Sequence, residues 1–230
     1  MSRPADPRAK IALLRAAEDV FAERGLAGAR IEEIAKRAGL SKGAFYLHFE
    51  SKEAVLKHIV ESFLARCGGY FAPPSHYPDL PDEPGALLSF CFERDVQIYD
   101  FLWANRAILR ILPTCQGQYD YLVEAFRAEI DQTTREWVDF WRREGLFRHE
   151  VNADLATTLM SGAYHQLAQK LLASEKRPTL ERWLGFAQET FVRAFGTEAL
   201  VAALAPAGAR SERNLRVSAL IDARTERGRV

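Results

Sequence analysis

Cysteine is scarce in this chain: Cys67, Cys91 and Cys115 are the only three, and no two form a C-x-x-C pair. That count and spacing support neither a disulfide framework nor a cysteine zinc cage, and they fit a reducing, cytoplasmic setting. Long apolar runs are missing as well. No stretch approaches the ~20 uninterrupted apolar residues that a membrane-crossing helix requires. The opening Met1-Ser2-Arg3-Pro4-Ala5-Asp6-Pro7 has no apolar core behind it, so it does not read as a secretory signal. Catalytic signatures are absent too. His48, His58, His76, His149 and His165 form no H-E-x-x-H or paired Glu-x-x-His, and no G-x-S-x-G, G-x-G-x-x-G or phosphate loop occurs. The expectation is therefore a protein with no catalytic residue, no metal ligand and no cofactor. The rival readings are an all-α enzyme of unknown chemistry and an interaction protein that works through its aromatic-rich C-terminal body.

An excess of charge is also lacking, with 31 basic against 31 acidic residues, but the balance hides a segregation. Residues 1–66 carry 12 basic and 9 acidic side chains, residues 67–204 carry 13 and 19, and residues 205–230 carry 6 and 3. A mildly basic start joined to an acidic body suggests two tasks in one chain. Five of the ten prolines crowd into Pro73–Pro84, an irregular connection, and the others bracket long runs compatible with helix. No strand alternation and no fixed-period repeat is visible.

The pattern predicts an all-α chain. A first helix spans about 7–24, with Ile11, Leu14, Ala17, Val20 and Phe21 as its apolar stripe and Gly25 as its stop. Short helices follow over 31–38 and 41–48, and Ser51 caps a fourth. Longer ones are expected over 85–111, 117–145, 153–174 and 179–195, with Asn152 and Thr179 as caps and Gly145 and Gly196 as stops. The expected division is 1–51 as a head, 52–71 as a connecting helix, 72–204 as a body and 205–230 as a mobile basic tail, with a weak helix near 215–221.

The informative stretch is IEEIAKRAGLSKGAFYLHFESK, Ile31 to Lys52. Two short helices flank Ala38-Gly39-Leu40-Ser41, and a glycine in so short a turn is the mark of a helix-turn-helix. Gly39 can take positive φ, and Ser41 can cap the second helix. Phe45 and Phe49, four apart, are expected to face inward, turning Lys42, Gly43, Ala44, Tyr46 and His48 outward. Such a face can enter a major groove. Gly43 and Ala44 permit close approach, Lys42 can reach a guanine edge, and Tyr46, His48 and Lys52 can reach phosphates.

Phe21 through Gly25, followed by IEEIAKRAGLSKGAFYLHFESKEAVL, resembles the DNA-binding domain of the TetR/AcrR family of transcriptional repressors over about residues 8–60. The resemblance implies an N-terminal three-helix DNA-reading head, a C-terminal helical ligand-binding and dimerisation bundle, and a homodimer on a double-stranded DNA operator. By position it brings Lys42, Gly43 and Tyr46 to bases or adjacent phosphates, and Ser41, His48 and Lys52 to phosphates. Two departures stand out. Ala29-Arg30 replaces the hydroxyl residue that usually caps the second helix, so Arg30 can meet phosphate only as a charge. Leu47 follows Tyr46 where the family often has an aromatic or polar residue.

The body is rich in aromatics: residues 67–147 hold 15 of the 25 in the chain, more than one small bundle needs for its core. The expectation is an apolar or aromatic small-molecule effector among the helices at 85–111, 117–145 and 153–174. Its expected contacts are Phe90, Tyr99, Trp103, Arg106, Tyr121, Phe126, Trp137, Trp141, Tyr164 and His165, and its binding releases the operator. Leu155, Leu159, Gly162, Ala163, Gln166 and Lys170, with Leu180, Leu184, Ala187, Phe191 and Ala194, are read as the dimer face. Periodicity alone leaves open whether those stripes face a partner or their own subunit.

Overall fold

A computed structural model of the chain describes residues 6–112, 117 and 120–204. The expected tail helix near 215–221 lies outside the described residues. Among the described residues the regular structure is helical, apart from one isolated bridge between Phe147 and Gly196. The chain divides into two compact units: Met1–Arg66 with Asn105–Glu124, and Cys67–Ala104 with Ala125–Val230.

In the first unit, α1 (Pro7–Gly28) starts where Asp6 accepts a hydrogen bond from the Arg8 amide at 2.9 Å and Pro7 takes the first turn. Its buried face is Leu13, Ala16, Ala17, Val20 and Phe21, while Ile11 is exposed, so the true stripe is rotated from the expected one. Gly25 takes φ +66° as expected, yet the helix resumes beyond it and buries Leu26. The turn is therefore a kink rather than a stop. Next come α2 (Ile31–Arg37), α3 (Lys42–Tyr46) and α4 (Lys52–Cys67). Ser51 accepts from the Ala54 amide at 3.1 Å at the start of α4. The short α6 (Arg106–Ile111) packs on α1 through the unit's interior, with Ile108 and Ile111 buried.

The second unit is built from α5 (Pro84–Ala104), the part of α7 (Asp120–Arg143) beyond Glu124, α8 (Ala153–Ala173), α9 (Leu180–Phe195) and α10 (Glu198–Ala202). The run expected as one helix over 85–111 breaks at Asn105, whose φ of −104° and ψ of 16° are not helical. The two pieces then fall into different units. Leu87, Leu88, Trp137, Trp141, Phe147 and Val192 lie in one buried cluster that joins α5, α7 and α9. Asn152 caps α8 by accepting from Leu155 N at 3.0 Å, and Gly145 ends α7 with φ +66°. Thr179 sits at the α9 cap position without a side-chain cap bond. Gly196 is needed for space: a Cβ there would stand 2.5 Å from the Val192 carbonyl oxygen. Cys67 and Cys91 are buried. No described helix is long and apolar enough to cross a membrane.

Candidate nucleic-acid interface

Burial sets the orientation of α3. Phe45 is wholly buried and Phe49 nearly so, their rings 6.0 Å apart, and His58 lies 6.0 Å beyond Phe49. With that rear face anchored, Lys42, Gly43, Tyr46 and Leu47 are left outside, Tyr46 half exposed at 50% and Leu47 at 66%. Ala44 and His48 are half-buried at the edges. Ser41 closes the N-terminus by accepting from Ala44 N at 3.1 Å, so its hydroxyl is committed to the helix. Gly39 has φ +71° with nothing within 4 Å of a Cβ, which makes backbone conformation its reason for being glycine. Gly43 has no such reason. A Cβ there would meet only Ser41 Oγ at an ordinary 3.7 Å.

The charges around α3 are paired on the surface. Lys42 Nζ lies 2.6 Å from Glu32 Oε1. That hydrogen bond lowers the Glu32 carboxyl below its ordinary range and raises the Lys42 ammonium. Arg37 makes a two-pronged contact with Glu23 at 2.6 and 2.8 Å, and Arg24 pairs with Glu33 at 2.9 Å. Arg30 occupies the α2 cap position without a cap bond, and neither it nor Lys36 forms an ion pair among the described residues.

Lys52 has a role the sequence did not disclose. Its ammonium donates to three carbonyl oxygens, Leu26 at 2.8 Å, Ala29 at 3.1 Å and Ala27 at 3.2 Å. An ammonium has three hydrogens, so it is fully engaged in holding the segment beyond the Gly25 kink. No sequence signal predicts this, because the carbonyls converge only once α1 has bent.

The residues expected to meet an effector are distributed over both units. Arg106 and an exposed Tyr121 belong to the first, and the Phe126 side chain lies outside the described residues. Phe90, Tyr99, Trp137 and Trp141 are buried in the second, with Trp103, Tyr164 and His165 half-buried there. Tyr77 bridges Phe90 and Trp137 at 5.1 and 6.0 Å, and Trp137 Nε1 donates to the Ala72 carbonyl at 3.0 Å. Trp141 stacks on Phe147 at 5.6 Å. Tyr99 donates to the Tyr164 carbonyl at 2.6 Å, and Tyr164 donates to Asp95 Oδ2 at 2.8 Å. His165 lies 3.1 Å from Arg127; burial first, then that guanidinium, lowers its pKa.

Sequence reasoning missed Arg94 and Asp95, since Glu93-Arg94-Asp95 reads as an ordinary solvated helix face. Both are well shielded, their side chains 16% and 13% exposed, and they approach at 3.4 Å. The Arg94 guanidinium stands 4.3 Å over the Trp137 ring. Nearby burial pushes the Cys91 thiol up to about 12 and the Glu93 carboxyl up to about 7.

Residues 13–59 match the model for bacterial regulatory proteins of the tetR family. The HTH-type transcriptional repressor KstR2 of Mycolicibacterium smegmatis is 40% identical over 164 residues, covering 67% of this chain and 74% of that protein. The HTH-type transcriptional regulator UidR of Escherichia coli K12 is 26% identical over 176 residues, 76% of this chain and 86% of its own. Among solved structures, the SmeT–triclosan complex superposes with a TM-score of 0.62 at 20% identity, covering 84% of this chain and 93% of its own. The ketosteroid transcriptional regulator KstR2 of Mycobacterium tuberculosis gives 0.59 at 20% identity, covering 85% of this chain and all of its own. At that identity the two structures speak for the fold.

Proposed function

The chain belongs to the tetR family of bacterial transcriptional regulators, and on that premise we propose that it is a dimeric repressor released from its operator by an apolar or aromatic effector. Proteins of this family bind DNA operators and small molecules and act as dimers. The observation that carries the reading for this chain is the outer edge of α3, left uncovered while Phe45 and Phe49 lock its rear. Lys42 is the base or phosphate reader, Tyr46 a phosphate contact, and Gly43 and Ala44 the point of close approach. Gly43 supports this by elimination: neither φ nor space inside the protein demands glycine there, so its missing side chain serves something that approaches from outside. Arg30, which forms no ion pair among the described residues, supplies a cation to the backbone, and His48 acts from the rim of the same surface. Ser41 and Lys52 work one step back, Ser41 as the cap that presents α3 and Lys52 as the tie that holds α1 beside it.

The second unit offers a dimer face in α8, where Leu155 and Leu159 are 63% and 59% exposed and Gly162 has open space around it. The expected α9 stripe contributes differently. Leu180, Leu184 and Ala187 are buried within their own unit, and α9 leaves Phe186, 76% exposed, and the small Ala194 outside. A dimer that reads two half-sites presents its two α3 helices about one DNA turn, ~34 Å, apart. Support for an apolar or aromatic effector comes from the aromatic interior of the second unit and from SmeT, solved with triclosan. One of the three covalent links between the units is α4, which begins at Lys52 and ends where the first unit gives way to the second, at Arg66–Cys67. An effector that prefers one arrangement of α4 by a few kcal/mol shifts operator affinity correspondingly.

Gel shift against the chain's own promoter region tests the reading. Lys42→Ala and Tyr46→Ala should each weaken binding and leave thermal unfolding unchanged. Unaltered binding by both variants removes α3 as the reading helix. Sedimentation should give a dimer that Leu159→Glu or Phe186→Glu dissociates.

A further inference from the structure

Several polar atoms inside the second unit have no hydrogen-bond partner among the described residues. Arg94 reaches Asp95 with Nη2 only, at 3.4 Å, which is long for a charge-assisted bond. Its Nε and Nη1 are fully shielded and have no partner among the described residues. They carry one and two hydrogens, so three N–H groups of a buried cation are unmet. On α8, Thr157 Oγ1 and Ser161 Oγ are likewise shielded and unpartnered. They stand seven and three residues before Tyr164, on the helix face that Tyr164 turns towards α5 when it donates to Asp95. The Asp95 carboxylate is already shared, Oδ2 with the Tyr164 hydroxyl and Oδ1 with Arg94. A buried guanidinium left in this state is unfavourable unless something fills it.

Aromatic rings flank the group on both sides. Trp137 lies under the guanidinium, with Phe140 5.8 Å from it, while Phe191 lies 5.8 Å from Tyr164. A complementary guest is therefore apolar for most of its surface and carries oxygen atoms that only accept. A carboxylate meets this description: two oxygens, several lone pairs and a charge opposite to that of Arg94. An alcohol brings a single uncharged oxygen and adds a donor of its own, and an amine adds donors and a like charge.

We propose that the effector is an apolar carboxylic acid whose carboxylate is held by Arg94 Nε and Nη1. Ser161 and Thr157 assist through their hydroxyls, and the hydrocarbon or aryl body lies along the aromatic rings. This rests on the effector reading above and names its chemical class.

The test uses the full-length protein, with intrinsic tryptophan fluorescence and calorimetry as readouts. The probes are octanoate, decanoate and 4-phenylbenzoate, each beside its matching alcohol and amine. In the wild-type protein the acids should bind at least tenfold more tightly than the alcohols, with the amines weakest. The double variant Arg94→Met/Asp95→Asn removes both charges together. It should keep alcohol binding and bring acids and alcohols within about threefold of one another. Equal binding of acids and alcohols by the wild-type protein, which needs no variant, overturns the inference and leaves the apolar-effector reading standing. Preference for amines overturns it, as does full acid preference in the double variant. Binding of none of the nine probes overturns both.

Discussion

In the first unit the ion pairs around α3 stand at the surface, Arg37 on Glu23 and Lys42 on Glu32, over an interior of Phe21, Phe45 and Phe63. In the second unit a pair, Arg94 with Asp95, lies inside the bundle with the guanidinium over the Trp137 ring, and the hydroxyls of Thr157 and Ser161 are shut in without partners among the described residues. Surface pairs add little stability and exchange readily with an external anion such as phosphate. Buried, unmet donors are costly and persist where a function uses them. The contrast separates a unit built to meet a polyanion at its outside from one built to admit a guest.

The largest effect should come from the first unit's interior. Phe45→Ala opens a cavity behind α3 and should cost about 3–5 kcal/mol in chemical denaturation, with operator binding lost as a consequence. Lys42→Ala probes the outside instead. It should lower operator affinity about tenfold and flatten its salt dependence in titrations at varied ionic strength, without moving the melting temperature. A neutral Lys42→Ala would erase the distinction between the two faces of α3.

Two glycines sharpen the same contrast. Gly39→Ala places a side chain at φ +71° and should destabilise by about 1 kcal/mol. Gly43→Ala should leave stability intact and weaken DNA binding, because its Cβ meets nothing tighter than Ser41 Oγ. In the second unit, burial raises the Glu93 carboxyl to about 7 from an ordinary 4.5. The folded protein then holds a proton that the unfolded chain releases, so stability should fall as pH rises from about 4.5 to 7. Because Glu93 remains partly solvated, the loss should be about 1 kcal/mol, and Glu93→Gln should abolish it in unfolding curves taken across that range. The smallest effect is expected for Glu32→Gln. Releasing Lys42 from its 2.6 Å partner should tighten operator binding a few-fold at low salt, and the gain should fade as salt rises.

Much of the first unit was legible because its signals are local. Ser41 as a cap, Gly39 as a left-handed turn and the Phe45–Phe49 spacing each need only a few neighbouring residues, and each recurs in the structure. The triple bond of Lys52 was not legible, because its acceptors lie 23 to 26 residues away on a helix that must first kink. Nor was the break at Asn105, where an apolar pattern that runs on as if helical is parted between two units. The α9 stripe shows the limit of periodicity. Its spacing marks Leu180, Leu184 and Ala187 as apolar-facing but is blind to which body covers them, and here it is their own unit.

What the residues by themselves determined was the class of chain: all helical, a reading helix after a glycine turn, and an aromatic-rich remainder, since caps, turns and apolar spacing are short-range properties of the backbone. Only the tertiary structure decided which charges are spent internally, which apolar stripe faces outward and that a guanidinium is buried with donors to spare. Those depend on what burial and long-range packing bring beside each group, and no local pattern encodes them.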